Sequence, residues 1–223
     1  MMIRSSTILL VVLTYSLKTF SQDKDFGIWY GVDVKHELAS KLDLEVSSFV
    51  RTFDNAHKIE QAFIEAGLEY RINKFLSAAG SYRLLSNIED NSKYYFQHKA
   101  FFDLKGQIDI ADLRLVSRIR FQTRLKTFHE YVEDKYPDYT ARFRLKLTYR
   151  TPSFPLNPYI YGEIFCPLAD NVDTVKGKNR AAAGLEFKII KNHSAELEYI
   201  FQRDYIPHMS DENILSICYC FNF

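Results

Sequence analysis

Apolar and polar residues alternate one by one along most of this chain. In AGLEYRINKFLSAAGSYRL (66–84), small or apolar side chains occupy nearly every second position, with Glu69, Arg71 and Arg83 between them. Leu42, Leu44 and Val46, then Ala62, Ile64, Ala66, Leu68, Tyr70 and Ile72, share one face, while Asp43, Glu45, Glu65, Glu69 and Arg71 share the other. A period of two is the signature of extended backbone, whose successive side chains point to opposite sides. The pattern returns as Leu113, Leu115, Ile119 and Phe121 against Arg114, Arg118, Arg120 and Arg124. It continues as Phe143, Leu145 and Leu147 against Arg142, Arg144 and Lys146, as Ala183, Leu185 and Phe187 against Arg180, Glu186 and Lys188, and as Leu197, Tyr199 and Phe201 against Glu196, Glu198 and Gln202. No window fits the helical period as well. The spacing predicts strands over 27–35, 41–52, 58–72, 75–86, 94–106, 111–125, 138–150, 158–165, 179–190, 194–203 and 213–223.

Most of these segments exceed the roughly five or six residues usual in soluble sheets. They match the roughly 9 to 11 residues with which a tilted strand crosses a bilayer. The connections near 36–40, 73–75, 106–110, 151–157 and 190–193 are short, and those near 53–57, 87–93, 126–137, 166–178 and 204–212 are longer. Short turns at one rim and longer loops at the other mark an outer-membrane barrel. Aromatic residues crowd the segment ends, as in Phe26, Trp29 and Tyr30, Tyr94 to Phe96, Phe128 and Tyr131, Tyr136 and Tyr139, Tyr159 and Tyr161, and Tyr205, which suits girdles at two membrane interfaces. The expected fold is therefore all-β: a closed antiparallel transmembrane barrel of about ten to twelve strands. Eleven segments sit awkwardly with the even count of single-chain bacterial barrels, so either one segment hides two strands or one does not cross.

The first residues change the compartment. Arg4, the apolar run Thr7 to Leu17 and the small residues before Gln22 read as a cleaved export signal over 1–21, leaving 22–223 as the barrel. The run is too short for a membrane-spanning helix. Lys and Arg total 29 against 28 Asp and Glu, and loss of Arg4 and Lys18 with the leader keeps the chain near neutral. Bulk charge therefore gives no reason to expect a nucleic-acid partner.

The chain ends on Leu215, Ile217, Tyr219, Phe221 and Phe223, an alternating apolar strand closing on Phe. That strand resembles the signal read by the barrel assembly machinery of the outer membrane. Together with FGIWYGVDVKHELASKLDLEV near the start, the stretches VSRIRFQTRLK (116–126), YTARFRLKLTYR (139–150), PYIYGEIF (158–165) and NRAAAGLEFKI (179–189) resemble the Bacteroidota outer-membrane barrels grouped as domain of unknown function 2490. The resemblance implies the fold and an outer-membrane location amid lipid, and brings no ligand or catalytic residue.

The candidate chemistry lies on the polar face. Arg118, Arg120, Arg142, Arg144, Glu163, Arg180, Glu186, Glu196 and Glu198 would project into the lumen, either as an ion-pair network bracing the wall or, through the basic stretch from Arg118 to Arg150, as an anion-preferring pore. A non-enzymatic pore or binding protein is the expected function. The alternatives are a soluble periplasmic barrel of lipocalin type, with Leu68 and Leu145 around an apolar ligand, and a lipid hydrolase with His98 facing Ser117 across a tight turn near 107–108. Nothing acidic would orient that imidazole. His36, His57, His129, His193 and His208 lack metal-ligand spacing, and Cys218 and Cys220 on a strand and Cys166 in a loop read as small packing residues, so no metal or cofactor is expected. The loop at 126–137 mixes aromatic and charged residues and offers a possible recognition surface. Phosphate-binding glycine loops, HExxH and GxSxG are absent from the sequence.

Overall fold

The computed structural model describes residues 25–88, 93–128, 135–152, 154–168, 177–205 and 209–223. The expected leader, His129, Tyr131, His208 and the centre of the 126–137 loop lie outside them. The described chain forms eleven strands: β1 (Asp25–Ala39), β2 (Leu42–Phe53), β3 (Lys58–Arg71), β4 (Leu76–Ile88), β5 (Tyr94–Ile110), β6 (Leu113–Lys126), β7 (Asp138–Tyr149), β8 (Leu156–Pro167), β9 (Lys178–Ile190), β10 (His193–Asp204) and β11 (Ser210–Asn222). Each pairs antiparallel with its neighbour in sequence, and β1 closes the barrel against β11.

That closure resolves the odd strand number. After eleven crossings the last strand runs in the same direction as the first, so the seam must be parallel. Gly27 lies opposite Ile214, Gly31 opposite Cys218 and Asp33 opposite Cys220. All eleven predicted segments are separate strands, and the two ways of restoring an even count are unnecessary. The turns at 40–41, 72–75, 111–112 and 191–192 and the end of β7 share a rim with Phe223, whereas the turn at 54–57 and the ends of β4, β6, β8 and β10 share the other with Asp25. Phe223 is held at its rim by a backbone N–H donated to Lys35 O (2.9 Å) and a carbonyl that accepts from Glu37 N–H (3.2 Å).

One boundary differs with consequence. The alternation of Gln107, Ile108, Asp109 and Ile110 extends β5 to Ile110, and the turn falls at Ala111 and Asp112. Ala111 adopts a left-handed φ of 50°. Such a conformation usually announces itself by Gly, Asn or Asp, and alanine gave no such signal.

The two faces are inverted relative to a soluble barrel. Leu145 and Ile160 stand on the convex wall, 54% and 58% exposed, while Glu163 in the lumen is 1% exposed. Leu68 is likewise on the convex wall. An apolar exterior around a charged interior contradicts the lipocalin alternative, which needs Leu68 and Leu145 inside. Among the expected girdle residues, Tyr30, Tyr94, Phe96, Tyr136, Tyr139 and Tyr205 are exposed, but Trp29, Tyr159 and Tyr161 are buried in the lumen with Ala182, Ile200 and Ile214. Their odd-numbered positions share the face of Asp33 and Glu163, so parity overrides their position near strand ends.

Candidate functional site: the charged lumen

Strand pairing stacks the inward side chains into rows across the wall. One row, from β2 to β7, reads Ser47, Glu65, Arg83, Lys99, Arg124 and Asp138. Three cations stand side by side, bracketed by two carboxylates. Each outer cation takes the carboxylate beside it: Arg83 Nε donates to Glu65 (2.7 Å) and Arg124 Nε to Asp138 (2.8 Å). Lys99, in the middle, has no carboxylate partner among the described residues. Like charges directly opposite one another repel, so this arrangement is unfavourable unless something negative approaches the ammonium.

The next rows carry most of the sequence-predicted residues. Glu163 accepts from Arg118 Nη2 (2.7 Å), Arg142 Nη2 (3.0 Å) and Arg144 Nη2 (3.4 Å), a hub of three guanidinium groups from β6 and β7 on one carboxylate of β8. Arg120 pairs instead with Asp103, through two parallel bonds of 2.6 and 2.7 Å. Arg180 lies opposite Glu163 but gives its Nε–H to Gln202 (2.7 Å). Glu198 accepts from the hydroxyls of Tyr159 (2.9 Å) and Tyr161 (3.0 Å), and Glu196 from Tyr159 (3.2 Å). Glu186 faces Glu196 across the β9–β10 pair as a like-charge neighbour.

The structure thus brings Arg118, Arg142, Arg144 and Glu163 into one cluster. Arg120, Arg180, Glu196 and Glu198 occupy the same lumen with other partners, and Glu186 stands on the same face opposite Glu196. The sequence pattern singled out none of Asp103, Arg51 and Lys99, because which inward side chains become neighbours depends on register. A further cluster near the Phe223 rim joins Lys35 to Glu45 (2.9 Å), Asp43 (3.0 Å) and Glu69 (3.3 Å), with Lys105 also on Glu69 (3.0 Å).

Aromatic rings separate the cations. Arg83 lies over Phe63 (3.7 Å), Arg51 over Trp29 (3.8 Å), Arg144 over Tyr161 (4.2 Å) and Arg142 over Phe165 (4.3 Å). Guanidinium groups stack well on ring faces, which fixes their planes and leaves their edges free to donate. The Nε of Arg51 is buried without an acceptor. Between these walls lies a cavity of about 740 Å³ lined by Arg51, Arg83, Lys99, Arg124, Arg142 and Arg180, with Glu196, Glu198 and Glu212 toward the seam.

The expected pairing of His98 with Ser117 does not form. With the turn at 111–112, His98 faces Leu84 and Leu125, whereas Ser117 faces Gly106 and Leu145. The His98 ring is hydrogen-bonded to the Tyr82 hydroxyl instead. Cys166 lies within β8 opposite Ala141 rather than in a loop, because that strand runs two residues past its predicted end.

Comparisons place the fold. The model of the family described as "Protein of unknown function (DUF2490)" matches residues 26–213. No protein with a curated description matches the chain in sequence. Among solved structures, the β domain of the Bordetella autotransporter BrkA is similar over 86% of this chain and 87% of its own, with a TM-score of 0.55 and 10% identity. The NanC porin is similar over 79% of this chain and 86% of its own, with a TM-score of 0.52 and 14% identity. A bacterial polysaccharide outer-membrane secretin covers 79% of this chain and 73% of its own, with a TM-score of 0.51 and 9% identity. At such identities the likeness is one of fold, and that fold is the outer-membrane β-barrel.

Proposed function

Since the chain belongs to the DUF2490 family, which assigns no ligand, we propose from the lumen itself that this protein is a non-enzymatic outer-membrane barrel whose interior admits small anions. The observation that carries the reading is Lys99: a cation between two arginines, facing a polar cavity, with the flanking carboxylates already engaged by its neighbours. An excess of basic over acidic side chains in a confined space raises the local concentration of anions and repels cations. Arg51, with an unmatched Nε, adds to the same field. The convex apolar wall supports residence in lipid, since strands of 12 to 17 residues exceed what a bilayer requires.

The test is planar-bilayer recording under a salt gradient. Lys99→Glu is the informative variant: Lys99 holds no structural partner among the described residues, whereas reversing Arg120 strands Asp103 and reversing Arg144 sets a second carboxylate against Glu163. The wild type is expected to conduct with an anion-side reversal potential, and Lys99→Glu to move it toward the cation side. An absence of conductance, or a reversal potential indifferent to Lys99, contradicts the proposal.

A further inference from the structure

The seam holds a second group of chemistry that the anion pathway does not use. On β11, Cys218 and Cys220 point to the same side, two residues apart, and the parallel register of β1 sets Asp33 opposite Cys220. Cys218 Sγ is 3.2 Å from Asp33 Oδ2 and 3.9 Å from Cys220 Sγ, and the three donor atoms lie within 4.8 Å of one another. Neither cysteine is in a disulfide. Two thiolates at about 2.3 Å from a tetrahedral ion stand about 3.8 Å apart, and a carboxylate oxygen at about 2.0 Å stands about 3.5 Å from each sulfur. The Cys218–Asp33 and Cys218–Cys220 separations are close to those values, and Asp33 and Cys220, within 4.8 Å of each other, need only be drawn together by the ion. A disulfide needs sulfurs at about 2.05 Å, and two residues of one straight strand reach that only by bending it.

We propose that Asp33, Cys218 and Cys220 form a binding site for one thiophilic divalent cation of the zinc class, with the fourth coordination position open to the lumen. Two thiolates and a carboxylate are a borderline-soft donor set that suits zinc and disfavours magnesium or calcium, which take oxygen. On binding, each thiol releases its proton to solvent and donates a sulfur lone pair to the ion, so metal uptake is accompanied by the loss of two protons. Glu196, opposite Cys218 on β10, and the nearby Glu198 make this wall acidic, in contrast to the basic row on β4 to β6. Because Asp33 belongs to the first strand and both cysteines to the last, the ion would fasten the edges where the barrel closes.

The experiment uses the full barrel in detergent, reduced, stripped with a chelator and titrated with cobalt(II) as a coloured stand-in for zinc. One equivalent is expected to give thiolate-to-cobalt charge-transfer absorption with tetrahedral d–d bands, displaced by zinc. Cys218→Ser should abolish it, Asp33→Asn should weaken binding by at least about tenfold, and Cys166→Ser should leave it unchanged. Zinc should also raise the temperature at which the folded gel band is lost in wild type and not in Cys218→Ser, which reports the clasp independently of colour. Should Cys218→Ser fail to fold, as shown by loss of heat-modifiable migration, Asp33→Asn carries the same comparison. A folded, reduced wild type without the charge-transfer band overturns the proposal, as does a band that survives in Cys218→Ser or vanishes in Cys166→Ser.

Discussion

Glu163 shows how much a single side chain can carry in a charged interior. It is surrounded by Arg118, Arg142 and Arg144, and its removal leaves three guanidinium groups facing one another without a counter-charge. Breaking a buried pair costs about 3–5 kcal/mol because the survivor stays desolvated. Glu163→Ala is therefore expected to lower the urea midpoint of the folded barrel by the equivalent of about that much. Asp103→Ala, which leaves Arg120 still within 4.0 Å of Glu65, should cost less. An unchanged midpoint in Glu163→Ala would show that water, not the carboxylate, solvates the cluster. The residue types of this network were legible in the sequence, since alternation alone separates Arg118 and Arg142 from Ile119 and Phe143. Their partners were not, because pairing depends on register across neighbouring strands. Arg120 reaches Asp103 because β5 runs on to Ile110, and nothing about Ala111 marks it as a turn residue.

At the scale of the element, β1 has the most constrained placement. Its inward face carries Gly27 where a Cβ would stand 2.5 Å from the carbonyl oxygen of Thr52 on β2, a contact with backbone that no rotamer relieves. Thr52 in turn locks the two strands: its hydroxyl donates to Ile28 O (3.0 Å) and accepts from Ile28 N–H (2.8 Å), beside a register shift between Arg51 and Thr52. Gly27→Ala is expected to destabilise the barrel by about 1–3 kcal/mol, as overpacking typically does. The urea midpoint of the purified barrel would show it, and a midpoint equal to wild type would mean that the two strands separate without cost. At the other side of the seam, Phe223 stacks on Phe221 (5.1 Å) and meets the His36 ring at a tilt (4.4 Å). If the strand ending at Phe223 is what the assembly machinery reads, Phe223→Ala should lower the amount of folded barrel in outer membranes more than it lowers refolding yield in detergent. Equal losses in both would assign the residue to packing alone.

For the whole molecule, the sequence made the closed sheet plain and left its closure hidden. Eleven alternating segments are visible one by one, but the pairing of β1 with β11 joins residues nearly 200 positions apart, and no local pattern encodes it. Parity of strand number then dictates that the seam is parallel, while the polarity of the two faces dictates what surrounds the barrel. An anion-admitting lumen requires that second point: hydrocarbon outside, ions and water within. The single tryptophan, Trp29, makes this measurable, because it is buried on the lumen side under Arg51. In vesicles of lipids brominated along their acyl chains, which quench indole fluorescence on contact, wild-type emission should be nearly unaffected. A tryptophan moved to the convex wall, as Leu145→Trp in a Trp29→Phe background, should be strongly quenched. Strong quenching of Trp29, or none at position 145, would mean that the faces are oriented the other way.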